Sequence, residues 1–186
     1  MAHTCPWWLG YLLLIPFRRL GQNPPRILRP FVREGMLVLE PGCGMGFFTL
    51  DLARLVGPRG RVVAIDVQEK MLAGLRRRAA RAGLEGRIDV RLAGPDRLGT
   101  DDLAGQVDLA LAFYVVHELH DQAAFFGEIA AALRPNGVVL VVEPPLHVSR
   151  AAFEASLALA GCAGLRVERR PRISANKAAL LAKTAA

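Results

Sequence analysis

Residues 38–48 read VLEPGCGMGFF: the apolar Val38-Leu39, then Glu40-Pro41, then glycine at 42, 44 and 46 before Phe47-Phe48. An apolar strand that runs through a glycine-rich turn into a helix forms the ligand crevice of an open parallel sheet. Glycines there let the backbone come close to a ligand and take positive φ. The spacing decides what kind of ligand. A pyrophosphate seat needs G-x-G-x-x-G, but the third glycine is replaced by Phe47 in the register from Gly42 and by Thr49 in the register from Gly44. A P-loop would end in Gly-Lys-Ser/Thr, and no lysine lies nearby. Glu40 would repel a pyrophosphate and suits an ammonium or sulfonium charge. Asp66 ends the next apolar run, twenty residues beyond Gly46, where a carboxylate accepts both hydroxyls of a ribose. Together these features fit an adenosine that carries a positively charged amino-acid tail.

Outward from this loop the chain alternates strand and helix. Asn23-Pro24-Pro25 has a cap and a first-turn proline for a helix over 24–33, closed by Gly35. Met36–Glu40 is a first strand, and helical spacing returns over about 46–56, with Phe48, Leu52, Leu55 and Val56 on one side. A helix start cannot turn both Phe47 and Phe48 inward, so one packs and the other covers the ligand. Strands over Arg61–Asp66, Ile88–Leu92, Val107–Phe113 and Val138–Glu143 follow, with helices over about 69–82 and 122–133 between them. Apolar strands separated by helices imply a parallel sheet covered on both faces. After a helix over about 149–162 the rhythm breaks. Leu165–Arg169 and Lys177–Lys183 are joined by a link too short for a crossover, so they pair antiparallel.

The 186 residues, 52% hydrophobic and 22% charged, make one globular domain. Net charge is +7, and only Lys70, Lys177 and Lys183 among the 24 basic residues are lysines. The arginines are scattered except for Arg76, Arg77, Arg78 and Arg81, which read as a solvated helix end. Cys5, Cys43 and Cys162 are odd in number and far apart, which excludes a disulfide framework and a metal knuckle and points to reduced cytosolic thiols. No metal is expected. The apolar stretch Pro6–Phe17 is too short to span a bilayer, and its positive charges, Arg18 and Arg19, follow it rather than precede it. The expected location is the cytoplasm.

The segments VLEPGCGMGFFTLDLA, VVAIDVQEKML, VDLALAFYVVHEL and LRPNGVVLVVEP resemble the successive motifs of class I S-adenosylmethionine-dependent methyltransferases, over roughly residues 31–183. The resemblance implies a Rossmann-like three-layer α/β/α sandwich, with a seven-stranded, mostly parallel sheet ending in a C-terminal antiparallel hairpin. It also implies S-adenosylmethionine as cofactor and S-adenosylhomocysteine as product. By the family's pattern, Glu40 and the loop Gly42, Cys43, Gly44 and Gly46 hold the methionine part and Asp66 the ribose. Val67 or Gln68 lines the adenine, with Asp96 near its amine and Phe113 beside the cofactor. Cys43 is a small buried filler, not a nucleophile.

Methyl transfer is an in-line displacement whose main demands are alignment and exclusion of water. A base is needed only where the acceptor has a proton to lose. The stretch Phe113–His120 lies where the family places residues facing the methyl group. His117 is the leading candidate for acceptor contact or general base, followed by Tyr114 and then His120. Glu143 faces the same crevice. The expected activity is methylation of a small molecule. The alternatives are methylation of RNA, protein or a lipid headgroup, for which nucleic acid or a membrane surface would be the partner, and a donor-binding protein without catalysis. Residues 1–30, rich in Trp7, Trp8 and Tyr11, form a segment apart from the domain at 31–186, with a lid, a packed helix or a membrane-surface helix as its three readings. Composition does not determine the oligomeric state.

Overall fold

The computed structural model describes residues 22–94 and 97–184. The apolar leader and Asp96 lie outside the described residues. The elements are α1 (Pro24–Leu28), β1 (Leu37–Pro41), α2 (Thr49–Leu55), β2 (Arg61–Asp66), α3 (Glu69–Arg81), β3 (Ile88–Leu92), β4 (Val107–Phe113), α4 (Gln122–Ala132), β5 (Leu133–Glu143), α5 (Arg150–Cys162), β6 (Leu165–Arg169) and β7 (Lys177–Lys183). Short 3-10 turns occur at Glu85–Arg87, Asp101–Leu103 and Val116–Glu118. The strands follow the order β3-β2-β1-β4-β5-β7-β6 in one seven-stranded mixed sheet, the Rossmann-like arrangement expected from the sequence. The chain divides between residues 93 and 94 into two compact units.

In the first unit β1 pairs parallel with β2, and β2 parallel with β3. β1 and β2 are buried almost throughout, while β3 is half-exposed and carries the charged Asp89 and Arg91. Charges on such a strand discourage pairing with another chain. Leu39, Leu52, Ile65, Leu72 and Leu75 are fully buried and form the centre of this unit's core.

Helix α1 is shorter than expected. Asn23 caps it through a 3.1 Å bond from the Arg26 N–H, as its sequence implies. It stops at Leu28 because Pro30 has no N–H to continue the ladder, although Arg29 before it keeps helical φ and ψ. Helix α2 likewise begins later than its spacing implies, at Thr49. Phe47 and Phe48 therefore precede the helix, and both are buried, packed edge to face at 5.1 Å. The expectation that only one of them packs is corrected. Leu55 is only half-buried, whereas Phe48, Leu52 and Val56 face the core.

In the second unit β4 and β5 are parallel, and β7 pairs antiparallel with both β5 and β6. The predicted C-terminal hairpin is present, with both strand ranges as expected. β5 starts five residues earlier than the sequence indicates: Leu133 pairs with Val107, and pairing resumes at Leu109 with Val138. Residues 134–137 bulge out opposite Asp108, with Asn136 at φ 63° and Arg134 Nε 2.7 Å from the Asp108 carboxylate. Pro135-Asn136-Gly137 has turn chemistry, and here it produces a bulge within a strand.

Candidate donor and acceptor sites

The first unit gathers most of the predicted donor-binding residues. Glu40 is the penultimate residue of β1, and the loop from Gly42 carries the chain to α2. Asp66 ends β2, and its carboxylate accepts from the Gly44 N–H at 2.8 Å and from the Gln68 N–H at 2.9 Å. Its backbone oxygen accepts from Ala93 N at 3.0 Å. The carboxylate thus ties the glycine loop to the entry of α3. An ionised carboxylate has about four acceptor positions, so it retains capacity for hydroxyl groups of a ligand.

Gly44 and Gly46 show what the absent side chains provide. Gly44 has φ +53° and nothing within 4 Å of where a Cβ would stand, so its face opens onto free space. Gly46 has φ +82°, and a Cβ there would run into Leu75 Cδ1. One glycine is open to a ligand; at the other, the positive φ and the nearby Leu75 side chain both disfavour a Cβ.

Glu40 is 4% exposed, and its Oε2 has no hydrogen-bond partner; nor does the buried hydroxyl of Thr49. Among the described residues these are the only buried side-chain oxygens or nitrogens left so. Burial raises the Glu40 carboxyl from its ordinary 4.5 to about 8; the nearby Thr49 hydroxyl opposes this and the Asp66 charge adds to it. A buried carboxyl oxygen without a partner costs free energy that a cation would restore. These residues fit S-adenosylmethionine: Glu40 and Asp66 match an ammonium or sulfonium and a ribose, and Gly44 leaves room. Cys43 is buried at 5%, and burial pushes its thiol well above the ordinary range, as suits a filler. Val67 is half exposed beside Asp66, an apolar surface for a base.

The second unit holds the predicted acceptor residues. Glu143, 1% exposed at the end of β5, accepts from the Val116 N–H at 3.0 Å and, through Oε2, faces His117 Nδ1 at short range. A carboxylate can only accept, so the Nδ1 position carries the proton and Nε2 is left for a ligand. The Val116 carbonyl accepts from Gln122 Nε2 at 3.0 Å, and the Gln122 amide oxygen accepts from Ser156 at 2.7 Å. The turn bearing His117 is therefore held at both backbone groups of Val116. Glu143 raises the His117 pKa above 6.5, against an opposing effect of burial, and Glu118 adds to the rise.

Tyr114 follows β4 with φ 60°, unusual for a bulky residue, and its hydroxyl donates to Asn176 Oδ1 at 2.7 Å. Phe113 is buried with its ring 4.6 Å from that of Tyr114. His120 is exposed. Sequence reasoning missed Thr49, Gln122, Ser156 and Asn176, since a partner brought close only by folding has no spacing signal. It also placed Arg78 in a solvated cluster, whereas Arg78 Nη1 donates at short range to the Met45 carbonyl. The interval of four from Gly74 to Arg78, on one helix face, was the available clue. Among the described residues no cluster of metal-ligating side chains occurs, and no helix is long and apolar enough to cross a membrane.

The chain is similar to a probable S-adenosylmethionine-dependent methyltransferase of Mycolicibacterium smegmatis, at 36% identity over 59% of this chain and 38% of that one. It is 35% identical to a ubiquinone biosynthesis O-methyltransferase of Methylocella silvestris, over 57% of this chain and 39% of the relative. It thus spans about two fifths of the length of these curated relatives. A solved S-adenosylmethionine-dependent methyltransferase from Aquifex aeolicus superposes with a TM-score of 0.87 at 25% identity, covering 97% of this chain and all of the other. A family model described as a methyltransferase domain matches residues 33–165. With that match over most of its length, and with a buried acid, open glycine and ribose-type carboxylate where the motifs require them, the chain belongs to the class I S-adenosylmethionine-dependent methyltransferase family.

Proposed function

We propose that the protein transfers a methyl group from S-adenosylmethionine to a small molecule whose acceptor atom carries a proton, and that His117 takes that proton. The observation that carries this reading is the His117–Glu143 pair on a turn held by Val116 and Gln122. The printed name of the Methylocella silvestris relative, a ubiquinone biosynthesis O-methyltransferase, supports a small-molecule acceptor.

When bound, S-adenosylmethionine supplies an electrophilic methyl group on sulfur. Glu40, the Gly42–Gly46 loop, Asp66 and Val67 bind and orient it; Gln68 acts through its backbone bond to Asp66. We assign Asp96 to the adenine amine and Phe113 to the cofactor's surroundings. In the acceptor role, Glu143 fixes the His117 tautomer, Nε2 receives the acceptor's proton, and the imidazolium formed is stabilised by the carboxylate. Tyr114, braced by Asn176, orients the acceptor. The domain is residues 31–186, with residues 1–30 as a separate N-terminal segment. The protein works in the cytoplasm.

The test is S-adenosylhomocysteine formation on a panel of hydroxylated metabolites, with RNA, total protein and phospholipid vesicles as rival acceptors. Turnover with a small molecule, with a low-pH limb set by one group, is the expected result. Turnover confined to RNA, protein or lipid would overturn it, as would donor binding with no turnover on any acceptor.

A further inference from the structure

The glycine loop contains three successive peptide units, and two of them are fixed. The Cys43–Gly44 unit gives its N–H to Asp66 and its carbonyl to the Gly46 N–H at 3.0 Å. The Met45–Gly46 unit gives that N–H to Cys43 and its carbonyl to Arg78. Between them lies the Gly44–Met45 unit. Among the described residues its N–H has no acceptor, and it adjoins the open space at Gly44.

One face of α3 supports this loop. A Cβ at Gly74 would lie 3.0 Å from Met45 Cγ, Leu75 packs against Gly46, and Arg78 reaches the Met45 carbonyl one turn further on. Gly74, Leu75 and Arg78 stand at i, i+1 and i+4, so they share a helix face. Arg76, nearby on α3, pairs instead with Glu69 at 2.6 Å.

We propose that Arg78 is a positioning residue for the methyl donor: by holding the Met45 carbonyl it orients the central Gly44–Met45 peptide so that its N–H is presented to the donor's methionine portion. This rests on the family's use of S-adenosylmethionine and not on the identity of the acceptor. A charged donor to a carbonyl is among the stronger hydrogen bonds, and a loop held in its binding geometry spares the ligand the cost of ordering it. The guanidinium holds a carbonyl of the loop while Glu40 and Asp66 supply the negative charge for a cationic ligand.

Arg78→Met keeps the apolar stem and removes the donor. Calorimetry with S-adenosylhomocysteine, which needs no acceptor, should show at least a tenfold loss of affinity in Arg78→Met, about a threefold loss in Arg78→Lys, and no change in Arg77→Met. All three proteins are compared well below their melting temperatures, with folding checked by circular dichroism. Affinity in folded Arg78→Met within twofold of the wild type would overturn the proposal. So would an Arg78→Lys variant no better than Arg78→Met, because a structural filler would not respond to the restored charge. A wild-type protein that fails to bind S-adenosylhomocysteine would instead overturn the donor assignment on which the proposal depends.

Discussion

Glu40 and Glu143 lie at the C-terminal ends of apolar strands β1 and β5, and they are nearly inaccessible at 4% and 1% exposure. Their surroundings differ. Both oxygens of Glu143 are engaged by its own unit, through Val116 and His117, so its charge shapes a turn and orients a ring. Glu40 has an oxygen with no partner, and its pKa is raised to about 8. Evolution can retain a buried acid for either purpose, and hydrogen bonding separates the two. A satisfied carboxylate positions the chain, whereas an unsatisfied one awaits a ligand.

The contrast breaks most readily at Glu143. Glu143→Ala would leave the Val116 N–H and the His117 Nδ1–H without their acceptor, and should cost about 3 kcal/mol in chemical denaturation. In Glu143→Gln the loss of the carboxylate charge should move the low-pH limb of activity downward, because the His117 pKa is no longer raised.

Asp66→Ala ranks next, since it removes the loop's anchor and the proposed ribose partner together. S-adenosylhomocysteine affinity should fall by about a hundredfold, or ~2.7 kcal/mol. Unchanged affinity would remove the ribose assignment. Glu40→Gln sharpens the comparison with Glu143: the unligated protein should be no less stable at pH 8, while donor affinity drops by about tenfold, ~1.4 kcal/mol.

The sign of the pH dependence follows from the direction of the shift. The folded protein holds the Glu40 proton more tightly than the unfolded chain, so this group's contribution to stability declines as pH rises from 4.5 to about 8. A cationic donor favours the ionised acid. Donor binding near neutrality should therefore release close to one proton, and affinity should increase with pH up to about 8. Calorimetry in buffers of different ionisation enthalpy measures this, and binding without proton release would reject it. The smallest effect belongs to Tyr114→Phe, which loses the bond to Asn176 and should cost about 1 kcal/mol.

Much of this was legible in the residues. The β2, β3 and β4 ranges and both strands of the hairpin followed from apolar runs between turn residues, since burial on a sheet imposes a local pattern. Boundaries shifted where local chemistry competed, at Pro30 and in the bulge at 134–137. Of the proposed donor residues, Glu40, the glycines and Asp66 stood out because strand ends and the turn between them lie at regular intervals along the chain. The roles of Arg78, Gln122, Ser156 and Asn176 were not readable from their spacing.

By itself the sequence determined the α/β alternation and the antiparallel end of the chain, and it pointed to a loop suited to a cation rather than a phosphate, because all three depend on neighbours along the chain. Only the tertiary structure decided that one Glu40 oxygen lacks a partner while both oxygens of Glu143 are engaged, and that Arg78 turns inward. Those distinctions depend on which polar atoms meet when distant segments pack, and in a buried interior the presence or absence of one hydrogen bond separates a structural charge from a binding one.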